Sequence, residues 1–277
     1  MSDRQKIALV TGGSRGIGAG IARKLAEYGY DIALTYATSE DEAEAVAASI
    51  RQAYGRECLV LQASMEQEDV PARIVEQTVA RYGRLDLLVN NAGLTITGSV
   101  LDMPADKLNY LINLNFRGYF LAAQAATRVM RDQKIKGNVI NITSSRGERA
   151  YPGDAIYGGL KAGMNRAIQS MALDLAPYGI RINNVAPGAT RVRDSQPSDR
   201  FYDGLAPRIP LGRIGTPEDM GEAVAWLASD KASYITGVTL RLDGGLILAG
   251  MPERFDGGDD ESIERYGWGY VHPKEDE

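Results

Sequence analysis

Short apolar runs alternate with longer amphipathic stretches along most of the chain, beginning at residue 6. The amphipathic stretches carry apolar residues at helical spacing, and the first of them ends at Gly29, a common residue just after a helix. The pattern predicts strands at 6–10, 31–36, 58–62, 85–90, 138–142, 180–185 and 237–242, and further helices at 40–54, 68–82, 105–131, 155–178 and 217–228. Strands that alternate with helices of this length form βαβ units. We therefore predict an α/β fold with a doubly wound, seven-stranded parallel sheet and helices on both faces.

No break in composition marks a second domain before Gly245. We therefore predict one domain over 1–245 and a C-terminal extension over 246–277. The extension starts with an apolar run, 246–251, and its later acidic and aromatic residues are Asp256, Asp259, Asp260, Glu261, Glu264, Tyr266, Trp268 and Tyr270. Because a solvated tail does not need large aromatic side chains, we expect the extension to pack on the body, on a neighbouring subunit or over the mouth of a functional site.

Composition narrows the classes of function. Hydrophobic residues make up 44% and charged residues 24% of the 277 residues, which are ordinary globular values. A net charge of −5 offers no electrostatic footprint for nucleic acid, and no apolar run approaches the ~18 residues of a membrane helix. A single cysteine, Cys58, excludes an internal disulfide, so we expect a cytoplasmic protein. A single histidine, His272, argues against Ser-His-Asp and Cys-His catalysis and against a His/Cys zinc site.

A glycine-rich segment follows the first predicted strand directly and opens the first predicted helix. It reads T-G-G-S-R-G-I-G, with glycines at Gly12, Gly16 and Gly18 rather than at the common G-x-G-x-x-G spacing. Glycines let the backbone approach a phosphate closely, and the free N–H groups of the helix start can hold it. The alternative is a tight strand-to-helix turn that binds no ligand.

Tyr157 and Lys161 lie four residues apart in a predicted helix, so they share one helix face. A free phenol has a pKa near ~10, and a fixed cation nearby stabilises the phenolate and lowers that pKa. Such a phenol can exchange a proton with an alcohol or a carbonyl group. Ser144 follows a predicted strand, where its hydroxyl could bond the reacting oxygen. Because Y-x-x-x-K is a common pattern, the alternative is that both are ordinary residues of the helix surface.

The candidate groups follow different strands of one predicted parallel sheet. The glycine segment, Asn91, Ser144 and Pro187 each come directly after a strand. Ligands of such sheets bind beyond the carboxyl ends of the strands, so these groups should converge on one edge. That convergence favours a functional role for Tyr157.

With these motifs, the chain resembles the short-chain dehydrogenase/reductase superfamily, in its single-domain branch of Rossmann fold. The resemblance covers roughly 6–245 and rests on several spaced motifs in the family's order. They are T-G-G-S-R-G-I-G at 11–18, N-N-A-G at 90–93, Asn115 in N-F-R-G, N-I-T-S at 141–144, Tyr157 and Lys161, P-G at 187–188, P-L-G-R-I-G-T-P-E-D at 210–219, and the A-S-Y-I-T-G and D-G-G segments near the end.

The resemblance implies a set of catalytic roles. Tyr157 is the implied proton donor or acceptor, Ser144 orients the substrate oxygen, and Lys161 lowers the pKa of the tyrosine and holds the nicotinamide ribose. Asn115 would fix a water that relays protons. The implied cofactor-binding residues are Gly12, Ser14, Arg15, Gly16, Ile17, Gly18, Tyr36, Thr38, Ser39, Ser64, Met65, Asn91, Ala92, Gly93, Tyr157, Lys161, Pro187, Gly188 and Thr190.

The family pattern also bears on the choice between NADP(H) and NAD(H). The acidic residue that holds the ribose 2′-hydroxyl of NAD would fall at Tyr36 or Ala37, and neither is acidic. Arg15 lies in the glycine segment, where related NADP enzymes carry a basic residue, and Thr38 and Ser39 could bond a 2′-phosphate. However, the arginine that is common after the second strand is absent, and Ser64 stands where the family usually has aspartate. We favour NADP(H), with NAD(H) as the alternative.

Arginines cluster around the expected substrate mouth. Arg146 and Arg149 follow Ser144, Arg191 and Arg193 follow the P-G motif, and Tyr151 lies between the two groups. Guanidinium groups bind carboxylate, phosphate or sulfonate bidentately, so Arg146, Tyr151, Arg191 and Arg193 are our candidate substrate contacts. The alternative is that these arginines are solvated or form salt bridges between loops.

The predicted activity is oxidoreduction between a secondary alcohol and a ketone of sugar, polyol or hydroxy-acid type. The polar segment 189–210 favours such substrates over long acyl chains. One alternative is reduction of 3-oxoacyl groups on an acidic carrier protein, and another is a nucleotide sensor without turnover. The four filled catalytic positions argue against the sensor. Relatives form homo-oligomers, so we expect a homotetramer or a dimer that acts on a small-molecule substrate.

Overall fold

A computed structural model describes residues 5–192 and 204–248, and the backbone of two short strands at 263–266 and 270–273. It contains a seven-stranded parallel sheet with the strand order β3-β2-β1-β4-β5-β6-β7. The strands are β1 (Ile7–Val10), β2 (Asp31–Tyr36), β3 (Cys58–Gln62), β4 (Leu87–Asn90), β5 (Asn138–Ile142), β6 (Arg181–Pro187) and β7 (Thr239–Leu242). The predicted α/β class and doubly wound Rossmann sheet are therefore confirmed.

The helices connect successive strands and cover both faces of the sheet. They are α1 (Gly16–Glu27), α2 (Glu40–Tyr54), α3 (Val70–Tyr82), α4 (Ala105–Ile112), α5 (Gly118–Asp132), α6 (Ala155–Leu175) and α7 (Pro217–Ala228). The start of α7 is fixed by reciprocal hydrogen bonds between Thr216 and Asp219, which satisfy two free N–H groups of the first turn.

Alternation of side chains along the strands divides the core into two layers. Val10 of β1 packs with α1, α2 and α7, whereas its neighbour Leu9 packs with α3, α5 and α6 on the other face. Both side chains are fully buried. Strands covered on both faces must be apolar on both, which explains the continuous apolar runs that predict them.

The strand order reverses between β1 and β4, so the loops after these two strands diverge and leave a crevice. The register pairs Val10 with Val89, which brings the glycine segment beside the N-N-A-G motif. The fold therefore places the two motifs side by side.

The long helix predicted at 105–131 is divided in the structure. A π-helical turn, Asn113–Arg117, separates α4 from α5. The hydrophobic spacing continues through the turn, so the sequence pattern does not reveal it. Such turns are frequent at functional sites, and this one contains Asn115.

The structure describes two parts of the C-terminal extension, residues 246–248 and the backbone of two short strands. Residues 246–248 lie close to the body, where the carboxylate of Asp243 accepts hydrogen bonds from the backbone N–H groups of Gly245 and Ile247. An antiparallel pair of strands, β8 (Ile263–Tyr266) and β9 (Tyr270–Pro273), was not predicted. The predicted packing of the aromatic side chains of Tyr266, Trp268 and Tyr270 lies outside the described residues.

Across the described part of the chain, no helix has the length and apolar character needed to cross a membrane.

Candidate active site

The glycine segment between β1 and α1 forms a cradle that larger residues would fill. Gly12 and Gly16 have φ angles of +65° and +53°, a left-handed conformation that favours glycine. A Cβ atom on Gly18 would lie 2.1 Å from the carbonyl oxygen of Gly12, so only glycine fits there. Hydrogen bonds hold the cradle: Gly12 N–H donates to Thr35 Oγ1 (3.0 Å), and Asn91 Nδ2 donates to the Gly12 carbonyl (3.0 Å).

The cradle, together with the start of α1, fits the pyrophosphate of a dinucleotide. Backbone N–H groups at a helix start attract anions, and the missing side chains leave room for a close approach. Helix α1 has no acidic residue in its first turn, so no carboxylate repels a phosphate there. The residues present therefore fit the pyrophosphate of a dinucleotide cofactor.

Arg15 lies at the far end of this cradle, beside the residues that follow β2. Its guanidinium Nη1 is 3.2 Å from the carboxylate of Glu42 and donates to Ser39 Oγ at 3.4 Å. Both charged side chains are 49% exposed, so their attraction is worth only about 0–1 kcal/mol. A bound phosphate could therefore recruit Arg15 at little cost.

Three residues of the predicted catalytic set meet at the other end of the same cleft. Ser144 follows β5, whereas Tyr157 and Lys161 lie in the first turns of α6. Ser144 Oγ accepts a hydrogen bond from the Arg146 backbone N–H (3.2 Å), which fixes the serine hydroxyl. The Lys161 ammonium donates to the Ile142 carbonyl (3.0 Å) and lies 5.5 Å from the centre of the Tyr157 ring.

Burial shifts the pKa values of both α6 residues toward their neutral forms. It raises the pKa of the Tyr157 phenol, while a hydrogen bond from Ser144 and the Arg146 guanidinium act in the opposite direction. Burial also lowers the pKa of Lys161 to about 7, because the ammonium is removed from water. The lysine therefore loses and gains its charge close to neutral pH.

Asn115 lies behind the cleft rather than on its wall. Its side chain is fully buried in the π-helical turn, where Nδ2 donates to the Leu94 carbonyl (3.0 Å) and to the Leu111 carbonyl (3.2 Å). Its Oδ1 has no hydrogen-bond partner within the described residues. A buried acceptor of this kind ordinarily has a bound water as its partner.

Tyr119 is a site residue that sequence reasoning missed. It is 1% exposed in α5, and the Lys161 ammonium lies 3.3 Å from its hydroxyl and 4.5 Å from its ring centre. The Tyr119 hydroxyl donates to the Ile142 carbonyl at 3.3 Å. Lys161 is thus held between two tyrosine rings. The sequence gives no signal for this contact, because an aromatic residue on the apolar side of a helix predicts only core packing.

The cleft has a volume of about 790 Å³ and runs from the glycine cradle to Tyr157. Every predicted cofactor residue except Ser64 lies on its wall. Ser64 is half-buried, between the buried residues Ala63 and Met65, which face the cleft instead. Wall residues that the sequence did not single out are Thr35, Ala63, Glu66, Leu94, Thr95, Tyr110, Leu114, Ile142, Thr143 and Val192.

Three of the candidate substrate residues, Arg146, Tyr151 and Arg191, are not on the wall of the cleft. Arg146 forms a bidentate ion pair with Asp154, and its guanidinium is 5.7 Å from the ring centre of Tyr151. The Arg191 backbone N–H bonds the Gly215 carbonyl at 2.8 Å. Arg193 lies outside the described residues. Of these candidates, Arg146 is thus engaged by a carboxylate of the same chain.

Comparison with known proteins gives consistent matches. A family model described as "Enoyl-(Acyl carrier protein) reductase" matches residues 12–247. The 3-oxoacyl-acyl-carrier-protein reductase FabG of Staphylococcus epidermidis is 42% identical over 245 residues, which are 88% of this chain and 99% of that protein.

Two solved structures are also similar to the chain. Acetoin dehydrogenase from Enterobacter cloacae has a TM-score of 0.84 at 35% identity and covers 91% of this chain and 100% of its own. A blue fluorescent protein from a metagenomic library, solved in complex with NADPH, has a TM-score of 0.81 at 36% identity, covering 87% and 98% of the two chains.

Proposed function

Because the chain belongs to the short-chain dehydrogenase/reductase superfamily of oxidoreductases, we propose that it interconverts a secondary alcohol and a ketone with NADP(H). One observation carries this proposal. The Ser144 hydroxyl, the Tyr157 phenol and the Lys161 ammonium meet at one end of a cleft whose other end is the glycine cradle. A dinucleotide that lies along the cleft would present its nicotinamide to these three groups.

In this proposal the bound nicotinamide supplies or accepts the hydride, and the side chains handle the oxygen and its proton. The Ser144 and Tyr157 hydroxyls bond the substrate oxygen. Tyr157 donates its proton when a ketone is reduced and takes one when an alcohol is oxidised. Lys161 stabilises the phenolate and bonds the nicotinamide ribose. A water held by Asn115 would complete a path for protons to and from Lys161.

The preference for NADP(H) rests on the residues around the ribose of the adenosine. Arg15 and Ser39 lie together at that end of the cleft, and the cleft wall at 36–39 contains no carboxylate. A carboxylate there would repel a 2′-phosphate, whereas a guanidinium attracts it. The similar protein bound to NADPH supports the same preference.

The substitution Arg15→Ala should weaken binding of NADPH much more than binding of NADH. A charge-assisted hydrogen bond to the 2′-phosphate contributes about 1.5–3 kcal/mol, which corresponds to roughly 10- to 100-fold in affinity. Titration of protein fluorescence with each reduced cofactor measures the two dissociation constants.

Two further variants sharpen this test. Arg23→Ala removes an arginine of α1 that bonds Ser49 Oγ (3.2 Å) away from the cleft, and should leave both affinities unchanged. Glu42→Gln removes the carboxylate that competes for Arg15 and should tighten NADPH binding several-fold. Equal losses of NADPH and NADH affinity in Arg15→Ala would show that Arg15 does not bind the 2′-phosphate.

For the substrate, we propose a small polar ketone and the corresponding alcohol, of the sugar, polyol, hydroxy-acid or acetoin type. Acetoin dehydrogenase among the similar structures supports this choice, as do the Thr95, Ser144 and Thr190 hydroxyls on the wall. The FabG relative supports the second candidate, reduction of 3-oxoacyl groups on carrier protein.

A substrate panel distinguishes these two candidates. Specificity constants for acetoin, diacetyl, ketoses and 2-oxo acids are compared with those for a 3-oxoacyl carrier protein, each with NADPH and NADH. We expect the highest value for a small ketone with NADPH. A higher value for the carrier-bound substrate would assign the second candidate function.

A further inference from the structure

The segment between Ser144 and Tyr157 contains an ion pair that has no part in the proposed reaction. Arg146 Nε donates to Asp154 Oδ2 at 2.8 Å, and Arg146 Nη2 donates to Asp154 Oδ1. The Asp154 side chain is only 2% exposed, and the Arg146 side chain is 26% exposed. A forked, mostly buried contact of this kind fixes the orientation of the guanidinium group.

The pair fixes Arg146 against the candidate catalytic tyrosine. The guanidinium carbon lies 5.0 Å from the centre of the Tyr157 ring, within the range of a cation–π contact. Two bare glycines allow this close packing. A Cβ on Gly158 would lie 2.9 Å from the Arg146 carbonyl and 3.0 Å from the Asp154 carboxylate, and a Cβ on Gly147 would lie 2.9 Å from the backbone of Ala162.

The backbone and the side chain of Arg146 each contact one of the two residues that would bond the substrate oxygen. Its backbone N–H bonds the Ser144 hydroxyl (3.2 Å), and its side chain covers the Tyr157 ring. The residue thus contacts the Ser144 hydroxyl and the Tyr157 ring. Displacing Arg146 would therefore disturb both side chains together.

The charges around Tyr157 are not equivalent in their dependence on pH. The guanidinium keeps its charge at every accessible pH. Burial raises the pKa of Tyr157, and the guanidinium acts in the opposite direction, as does the hydrogen bond from Ser144. Lys161, by contrast, loses its charge above about pH 7 because burial lowers its pKa to that value. Among the described residues, the titratable and charged groups that face Tyr157 are Arg146, Asp154, Lys161 and Tyr119.

We propose that Arg146, anchored by Asp154, is a positioning residue that orients Ser144 and Tyr157 and stabilises the Tyr157 phenolate. This inference rests on the proposed function, in which Tyr157 exchanges the proton. It assigns Arg146 a role different from the anionic-substrate contact that its position in the sequence suggested. Its Nε and Nη2 atoms are bonded to Asp154, and the residue is not on the cleft wall.

Arg146→Met tests the role, because it keeps the length of the side chain and removes its charge. Without the cation, the Tyr157 phenolate is less stable, so both limbs of the pH–rate profile should move to higher pH by about one unit. The ascending limb belongs to alcohol oxidation, and the descending limb to ketone reduction. The turnover number should fall about tenfold, with KM changed less than threefold.

Two variants accompany this substitution. Arg146→Lys keeps a positive charge within reach of Asp154 and should restore most of the wild-type profile. If Arg146→Met does not fold, Arg146→Gln replaces it, because it also removes the charge. Arg166→Met makes the same change at an exposed arginine of α6 that bonds Ser170 Oγ, and should leave the profile unchanged. A rise in KM with unchanged turnover and unmoved limbs would instead make Arg146 a substrate contact and overturn the inference.

A second measurement does not require turnover. The tyrosinate absorbance of wild type and of Arg146→Met is titrated over the alkaline pH range in which circular dichroism shows that the protein is folded. From each curve we subtract that of the same protein carrying Tyr157→Phe. We expect less Tyr157 phenolate at each pH in Arg146→Met than in wild type. Equal difference signals, including the absence of a signal in both, overturn the inference. A wild-type enzyme inactive on every carbonyl substrate would count against the proposed function alone.

Discussion

Tyr157→Phe should lower the turnover number by about 10²- to 10⁴-fold, the usual contribution of a positioned acid or base. The phenyl ring keeps its packing beside Arg146 and Lys161, and only the hydroxyl that exchanges the proton is lost. Binding of NADPH should therefore stay within a few-fold of wild type. Steady-state rates and a cofactor titration on the same preparation measure the two quantities.

Tyr178→Phe provides a matched control for this variant. Tyr178 is 51% exposed and follows the end of α6, far along the helix from the cleft, so its hydroxyl should be dispensable. Near-normal turnover in Tyr157→Phe would remove Tyr157 from the mechanism. A large loss of cofactor affinity would mean that the hydroxyl supports the fold of the cleft rather than the chemistry.

Lys161→Met should abolish most activity and also change how stability depends on pH. Burial lowers the pKa of Lys161 from 10.5 to about 7, so between these pH values the unfolded chain binds a proton that the folded chain does not. Unfolding therefore becomes less favourable as the pH rises through this window, by up to about 1.4 kcal/mol per pH unit. Below about pH 7 the buried Lys161 is charged in the folded protein, and its burial then destabilises the fold to the full extent.

Urea unfolding at the two ends of this window measures the effect. Wild type should gain stability from about pH 7 toward pH 10, while Lys161→Met should lack that part of the gain. Other titrating groups are common to both proteins, so the difference between their slopes isolates Lys161. The exposed Lys136→Met variant should retain the wild-type slope. Equal slopes in wild type and Lys161→Met would contradict the buried, weakly basic state of Lys161.

The sequence predicted the sheet and the cofactor cleft because both depend on local patterns. The continuous apolar run that begins the sheet coincides with β1, whose four residues are all apolar and buried because the strand is covered on both faces. The roles of Gly12, Gly16 and Gly18 could be predicted because glycine is favoured at each of these positions. Gly12 and Gly16 have left-handed φ angles, and a Cβ on Gly18 would clash with the Gly12 carbonyl. The parallel topology then explains why groups distant in sequence, such as Ser144 and Gly12, lie on one cleft.

Other features depend on contacts that a local pattern does not contain. The π-helical turn at Asn113–Arg117 keeps the hydrophobic spacing of a regular helix, and the position of Tyr119 beside Lys161 arises only when α5 and α6 pack on the same face. The pairing of Arg146 with Asp154 requires the chain to fold back before α6. The homotetramer, the cytoplasmic location and the role of the extension stay predictions.

Transfer of deuterium from NADPH labelled at the nicotinamide C4 position tests the central claim most directly. The enzyme is incubated with the labelled cofactor and either diacetyl or a 3-oxoacyl thioester, and mass spectrometry locates the label in the product. An enoyl thioester is offered in parallel, because the matching family model is described as an enoyl reductase. We predict one deuterium on the carbinol carbon of the alcohol product and none transferred to the enoyl substrate. Label found only on a carbon of the former C=C bond, or no transfer to any carbonyl substrate, would contradict the account.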